Sequence, residues 1–372
     1  MKRVSLIYIV LFLILCSCNF SKEQGIIPSE LEYARELRIL CEDDYSIVEV
    51  RDSWDTLKLR QRYLLVPKGA EMPDDMPQGT IVRVPVERAA VYASSHVSIL
   101  EELGKTDAVK AVCESEYIGS EAIKSRVLGG DIVDLGLSTS PSIEKLIASE
   151  CEIIIASPFE NGGYGAVEKL GIPLIEAADY MENHPLGRTE WVKFYGLLFG
   201  CEPRADSIYN TTVARYNELK EMASGVSSKP SLLVEKKYGS AWGVASANSY
   251  IATIQTDAGA DYLFMDYPGS GSTQLSFEKV YERAADADLW LFKYASESDM
   301  TYDDLRSEYE PYENFAAFRN HRIFACNSLK NSYFDDITLH PDWLLEDLIH
   351  IYHPNLLHPD YQPRYYLPLK RR

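Results

Sequence analysis

The sequence predicts an α/β fold class: two βα lobes bridged by a long, rigid linker helix, with a ligand cleft between the lobes. Three observations carry that expectation. Residues 136–176, GLSTSPSIEKLIASECEIIIASPFENGGYGAVEKLGIPLIE, switch twice between helical and extended periodicity within about forty residues. That alternation is how βαβ units of a parallel sheet read. A second copy lies downstream. Ser142-Ile143-Glu144-Lys145-Leu146 leads to the apolar run 153–155, and Ser276-Phe277-Glu278-Lys279-Val280 leads to Leu289-Trp290-Leu291-Phe292. Between the copies, residues 186–222 are strongly helical, with one apolar stripe at Trp191, Tyr195 and Leu198 and another at Ile208, Val213, Tyr216 and Leu219. Two Rossmann-like lobes joined by a helix or helix pair satisfy all three, and such a joint is stiffer than a glycine-serine hinge.

The chain opens on Met1-Lys2-Arg3, followed by an apolar stretch over residues 4–15 that is too short for a comfortable transmembrane helix. It ends in Leu15-Cys16-Ser17-Cys18, which has the form of a bacterial lipobox. Residues 1–17 are therefore expected to be a lipoprotein signal peptide and Cys18 the lipidated residue, with residues 18–37 as anchor and tether. The mature protein then stands in the cell envelope, facing the periplasm or exterior. The remaining boundaries place an N-terminal lobe at 38–185 with an added strand-rich segment, a helical linker at 186–229 and a C-terminal lobe at 230–372.

About 355 residues remain after processing, enough for two domains. The formal charge of −19 becomes −21 when Lys2 and Arg3 leave. So acidic a chain is a poor partner for nucleic acid or anionic lipid. Apart from Cys16 and Cys18, five widely spaced cysteines (Cys41, Cys113, Cys151, Cys201, Cys326) read as small buried hydrophobes, not as a disulfide framework or zinc site.

The elements follow in order. Residues 39–66 alternate weakly and hold strand candidates at 45–50 and 63–66, leading into a Pro/Asp loop at 67–79. Residues 80–86 read as a strand, 93–103 as a helix stopped by Gly104, and 108–112 as the next strand. Tyr117 is expected to be exposed in the loop that follows. In the opening stretch, Gly171 stands where a helix C-cap requires a left-handed residue. The second lobe runs through a strand at 232–235, an aromatic loop at 238–243, a helix at 249–258, a glycine-rich loop at 267–272 and an acidic loop at 297–304. An αβ step at 315–325, a helix at 341–350 and a Pro/Tyr-rich tail close the chain.

The ordered series 91–104, SPSIEKLIASECEIIIAS, EKLGIPLIE, FYGLLFGCEPRADSI, TDAGADYL, LSFEKVYERAADADLWLF, AAFRNHRIF and HPDWLLEDLIHIYHP resembles the substrate-binding lipoproteins of ABC importers that carry iron–siderophore, haem or cobalamin. The resemblance covers roughly residues 80–354, and the segment up to residue 79 departs from it. It implies two α/β lobes with a shallow cleft and a metal-chelate ligand, an iron complex (siderophore or haem) ahead of a corrinoid. It also implies delivery to a permease and ATPase complex, with no cofactor and no bond chemistry. Glu144 and Glu278, one on each lobe, correspond to the acidic residues that dock such proteins on permease arginines.

Loops after the strand ends should line the cleft, offering Tyr117, Phe159, Tyr164, Trp242 and Tyr267; flat chelates bury apolar faces against such side chains. With 25 tyrosines in the chain, any single member is as easily packing. His350 and His353 are near neighbours on a helix end, but a metal needs three or four converging ligands. Enzyme readings are weaker. Residues 162–165 and 269–272 lack GxGxxG or P-loop spacing, Ser270 has no GxSxG frame, and the acidic run 297–310 reads as a solvated loop. Two other classes stay open: a two-lobed metalloenzyme or chelatase, and an adhesion or scaffold protein with a closed cleft.

Overall fold

The computed structural model describes residues 31–55, 58–160 and 162–371, and all counts are of those residues. The signal peptide, Cys18 and the tether up to residue 30 lie outside them.

Two mainly parallel sheets form the two lobes. In the first, β5 (Ala89–Val91), β6 (Val109–Val112), β7 (Val133–Asp134), β8 (Ile153–Ala156) and β9 (Leu174–Glu176) lie in the order β7-β6-β5-β8-β9, all parallel. The helices α1 (Ser94–Glu102), α2 (Glu121–Leu128) and α3 (Ile143–Ala148) each follow one of its strands. Ile153, Ile154, Ile155 and Ala156 are all buried, which explains the continuous apolar run: helices cover both faces.

In the second lobe, β10 (Ser231–Val234), β13 (Asp261–Tyr262), β15 (Leu289–Tyr294), β16 (Ile323–Asn327) and β17 (Leu367–Pro368) lie in the order β13-β10-β15-β16-β17. Only β17, supplied by the tail, runs antiparallel to its neighbour. A small antiparallel sheet of β11 (Lys237–Tyr238), β12 (Ala241–Ala245) and β14 (Ser272–Leu275) sits beside it. The helices are α7 (Tyr250–Asp257), α8 (Phe277–Ala284), α9 (Tyr302–Glu308), α10 (Ala316–Arg319), α11 (Tyr333–Asp336) and α12 (Pro341–Tyr352).

The linker is α4 (Pro185–Glu190), α5 (Val192–Phe199) and the 23-residue α6 (Glu202–Ser224). At 1.5 Å per residue α6 spans about 35 Å. Its first half buries Ala205, Ile208 and Tyr209 in the N-terminal lobe's core. Its second half buries Tyr216, Leu219 and Ala223 in the C-terminal lobe's core. One helix is thus packed into both cores, the physical basis of a stiff joint.

Several expectations change. The strand read at 80–86 is β4 (Thr80–Val84), and it belongs to the added sheet: β1 (Leu37–Cys41), β2 (Ser46–Arg51), β3 (Leu59–Pro67) and β4 stand in that order, with β3 and β4 parallel. The lobe's own sheet starts with the short β5, three residues with no alternation to betray it. The acidic loop at 297–304 runs into α9, nucleated by a capping box between Thr301 and Asp304. Cys41 is exposed; Cys113, Cys151 and Cys326 are buried.

Before β1 the chain docks at the lobe junction. The Glu190 carboxylate, 0% exposed, accepts the backbone N–H groups of Glu32, Tyr33 and Ala34 at 2.8–2.9 Å. Glu182 accepts those of Arg35 and Glu36 and the indole N–H of Trp191 at 3.0 Å. The Tyr33 ring stacks on His184 with centroids 4.7 Å apart. Gly187 suits the close approach here, since a Cβ would meet the Tyr33 carbonyl oxygen at 3.1 Å.

Candidate functional site

Two cavities open at the carboxyl ends of the strands, where open α/β sheets hold ligands. The first, of about 290 Å³, follows β5, β6 and β8 and is lined by Tyr92, Cys113, Glu114, Tyr117, Phe159 and Tyr164 with Ser94, Ser138 and Ser157. The second, of about 360 Å³, lies between the lobes. From the N-terminal side it is lined by Tyr180, Glu182 and Arg188, and from the C-terminal side by Glu235, Ser249, Tyr250 and Ser272. A larger hollow of about 730 Å³ lies at the opposite, amino-terminal edge of the C-terminal sheet, around residues 225–230 and 286–288. It stands away from the strand ends that converge between the lobes.

Three of the five aromatic candidates meet in the first cavity. Tyr117 sits on a 3₁₀ turn after β6, 66% exposed, and Phe159 follows β8, 47% exposed. The Phe159 and Tyr164 rings lie 6.3 Å apart. The Tyr164 hydroxyl is 2.9 Å from the Ser157 carbonyl oxygen and 3.2 Å from Glu176 Oε1. Burial and the Glu176 charge push that phenol well above its ordinary pKa. The Tyr92 hydroxyl, buried in the same wall, has no hydrogen-bond partner.

Trp242 and Tyr267 go elsewhere. The stretch read as an aromatic loop is the β11–β12 hairpin, whose alternation turns Trp242 inward and leaves Tyr238 outside. Trp242 is 0% exposed, donates to the Val234 carbonyl oxygen at 3.1 Å, and packs within 5.6–5.8 Å of Trp290, Tyr312 and Phe315. It is a core residue and is corrected as such. Tyr267 is half-buried against Phe264 beneath Arg283, and does not line either cavity.

The polar half of the cleft escaped the sequence reading. Arg188 donates through Nη2 to the Tyr180 carbonyl oxygen at 2.7 Å, and its guanidinium lies 4.0 Å from the centre of the Tyr250 ring. The Tyr180 hydroxyl donates to the Pro158 carbonyl oxygen at 2.6 Å. Glu235, with a left-handed φ of 61°, pairs with Lys293. Although burial works against it, the Glu235 charge holds Lys293 above its usual pKa. Burial pushes the Glu182 carboxyl up to about 7 despite its three N–H donors. One signal for Arg188 existed: His184-Pro185 after the strand at 174–176 reads as a helix start, hence a strand-end loop. Among the described lining residues of the two cavities, Arg188 is the one cation, against the carboxylates of Glu114, Glu182 and Glu235.

Glu144 and Glu278 both stand exposed in the first turn of a helix, behind serine caps: Ser142 accepts from the Lys145 N–H, Ser276 from the Lys279 N–H. The Glu278 carboxyl is lowered by its own backbone N–H and by Ser276. His353 Nε2 lies 3.1 Å from the Gly259 carbonyl oxygen, and His350 packs beside Tyr361. Among the described residues no three His, Cys, Asp or Glu side chains converge as a metal site, and no helix is long and apolar enough to cross a membrane.

The model of the periplasmic binding protein family matches residues 90–329. An uncharacterised lipoprotein of Methanocaldococcus jannaschii is 28% identical over 359 residues, covering 90% of this chain and 84% of its own. A second lipoprotein of that organism is 22% identical over 349 residues, covering 91% and 87%. Among solved structures, a possible iron-binding periplasmic protein of Staphylococcus epidermidis superposes with a TM-score of 0.57 at 16% identity, over 72% of this chain and 98% of that one. A periplasmic haem-binding protein of Roseiflexus gives 0.56 at 18%, over 73% and 99%. Both likenesses are of fold.

Proposed function

This chain belongs to the periplasmic binding protein family, and from that premise we propose that it is the lipid-anchored solute-binding component of an ABC importer. It captures an iron complex, a siderophore or haem, between its lobes and delivers it to a permease and ATPase complex in the cell envelope, performing no bond chemistry. The observation that carries the reading is a pair of cavities at strand carboxyl ends, one lined by Tyr117, Phe159 and Tyr164 and the other, between the lobes, by Tyr180, Arg188 and Tyr250. Aromatic walls supply apolar area to a chelate, and a few polar groups fix its orientation. The similar structures named for iron and haem point the same way.

The scarcity of cations favours a chelate of low charge. A triply anionic catecholate complex would find a single guanidinium, beside the Glu114, Glu182 and Glu235 carboxyl groups, the last already paired with Lys293. A ferric hydroxamate or a corrinoid meets no such cost, which keeps the corrinoid as the second reading. Titrating the mature chain with haemin, ferrioxamine B, a ferric catecholate and cyanocobalamin, followed by fluorescence quenching, tests this. Binding of one low-charge chelate is the expected result, and binding of none overturns the reading.

Docking rests on Glu144 and Glu278. Both are exposed at helix N-termini, where the dipole favours the charged form and exposed carboxylates steer encounter. The double reversal Glu144→Arg, Glu278→Arg should leave ligand affinity and melting near normal and abolish uptake. If the two residues only cap their helices, uptake survives.

A further inference from the structure

The sheet formed by β1 to β4 lies outside the residues matched to the family, yet it reaches the binding wall. Arg60 on β3 places Nη2 2.7 Å from Glu176 Oε1. Glu176 is 3% exposed, at the carboxyl end of the edge strand β9. The same Oε1 faces the Tyr164 hydroxyl at 3.2 Å. A second tie runs beside the first. The Tyr63 hydroxyl, also from β3, accepts the Glu176 N–H at 2.8 Å and donates to the Leu174 carbonyl oxygen at 3.0 Å. Trp54 covers the guanidinium at 5.3 Å, and Arg60 Nε is buried without a partner.

We infer that Arg60 is a positioning residue of the ligand site: acting through Glu176, it fixes the Tyr164 ring in the cavity wall, so the added sheet takes part in recognition. This rests on the proposal that the interlobe cleft binds the ligand. Without Arg60, Glu176 would be a buried carboxyl group with no cation at hand, and its side chain would be free to turn to another partner. Held by Arg60, the Glu176 carboxyl stands as a second acceptor beside the Ser157 carbonyl oxygen, so the Tyr164 hydroxyl is fixed from two sides and its ring stays tilted at 43° to that of Phe159. The planar guanidinium, packed beside Trp54, aims its Nη2 at Glu176 Oε1, where a lysine would supply charge without that fixed direction. Arg60 does not line the cavity and touches no ligand itself.

The test uses the whole mature chain with 3-fluorotyrosine introduced at position 164. In the parent, the fluorine NMR line should be single and should not titrate below pH 10. In Arg60→Gln it should move or broaden, because the acceptor that holds the hydroxyl is no longer fixed. Arg60→Lys should recover the charge effect but not the single line. Glu176→Gln serves as the second variant if Arg60→Gln does not fold, and should disturb the same line. The binding arm measures haemin, ferrioxamine B and cyanocobalamin by fluorescence quenching. For whichever probe binds, Arg60→Gln and Tyr164→Phe should each weaken it by about tenfold, and the double variant by no more than either alone. An unmoved fluorine line in folded Arg60→Gln overturns the inference, as do additive losses. If no probe binds the parent, the reading of function fails, and the fluorine line still decides the positioning role.

Discussion

Replacing Trp242 separates a wall of the cleft from a wall of the core. Trp242→Phe keeps a ring but removes the pyrrole part of the indole and its Nε1–H, which donates to the Val234 carbonyl oxygen at 3.1 Å. Leaving that buried carbonyl without its donor costs about 1–2 kcal/mol. The vacated volume sits among Trp290, Tyr312 and Phe315. These rings cannot collapse into it freely, which adds about 1 kcal/mol. The sum is about 2–3 kcal/mol. With a urea dependence of about 1–3 kcal/mol per molar, the midpoint should fall by about 1 M. Far-UV circular dichroism reads that midpoint, and quenching of the remaining tryptophans by a bound chelate reads affinity without denaturant. Affinity should stay within about twofold, because Trp242 is 0% exposed and lines neither cavity. A tenfold loss of affinity with an unchanged midpoint would refute the core assignment and return Trp242 to the cleft.

Three further outcomes follow from the geometry. Glu182 has its folded pKa raised from 4.5 to about 7, so the stability it contributes is fully present below pH 4.5 and lost as pH rises through 7; relative to Glu182→Gln, the parent should lose on the order of 3 kcal/mol between pH 4.5 and 8. Equal urea midpoints for the two proteins across that window would contradict the assignment. Arg188→Met should weaken haemin, with its carboxylates, by about tenfold or more and a neutral chelate far less, as read by fluorescence titration. Because α6 is packed into both cores, saturating ligand should change the radius of gyration only slightly in small-angle scattering, and a marked compaction would exclude a stiff linker.

The lobes were legible because their signals are periodic. The two Ser-x-Glu-Lys helix starts, the isoleucine run and the 23-residue α6 all announce themselves locally. The candidate site was legible in its apolar half, where three loop aromatics that follow strands, Tyr117, Phe159 and Tyr164, come together. Its polar half was not, since Arg188 and Tyr250 come together only by folding: neither lies within sixty residues of the other, and each reads alone as a helix residue. Trp242 misled for the opposite reason, as an aromatic in a glycine-bounded loop looks exposed until hairpin register assigns its face. Arg60 and Glu176 are 116 residues apart, and no spacing rule joins a sheet edge to an insertion.

The docking of residues 32–36 on Glu182 and Glu190 fixes where force enters the molecule. The chain joins the fold at the pivot between the lobes, not at the tip of either one. Under the proposed lipid anchoring, tension entering at residues 32–36 would act with little lever arm on either lobe. Such a pull can swing the whole protein about its attachment without prising the jaws apart. On the proposed function, reorientation on the tether would then be mechanically separate from ligand release, which would fall to a partner that grips both lobes.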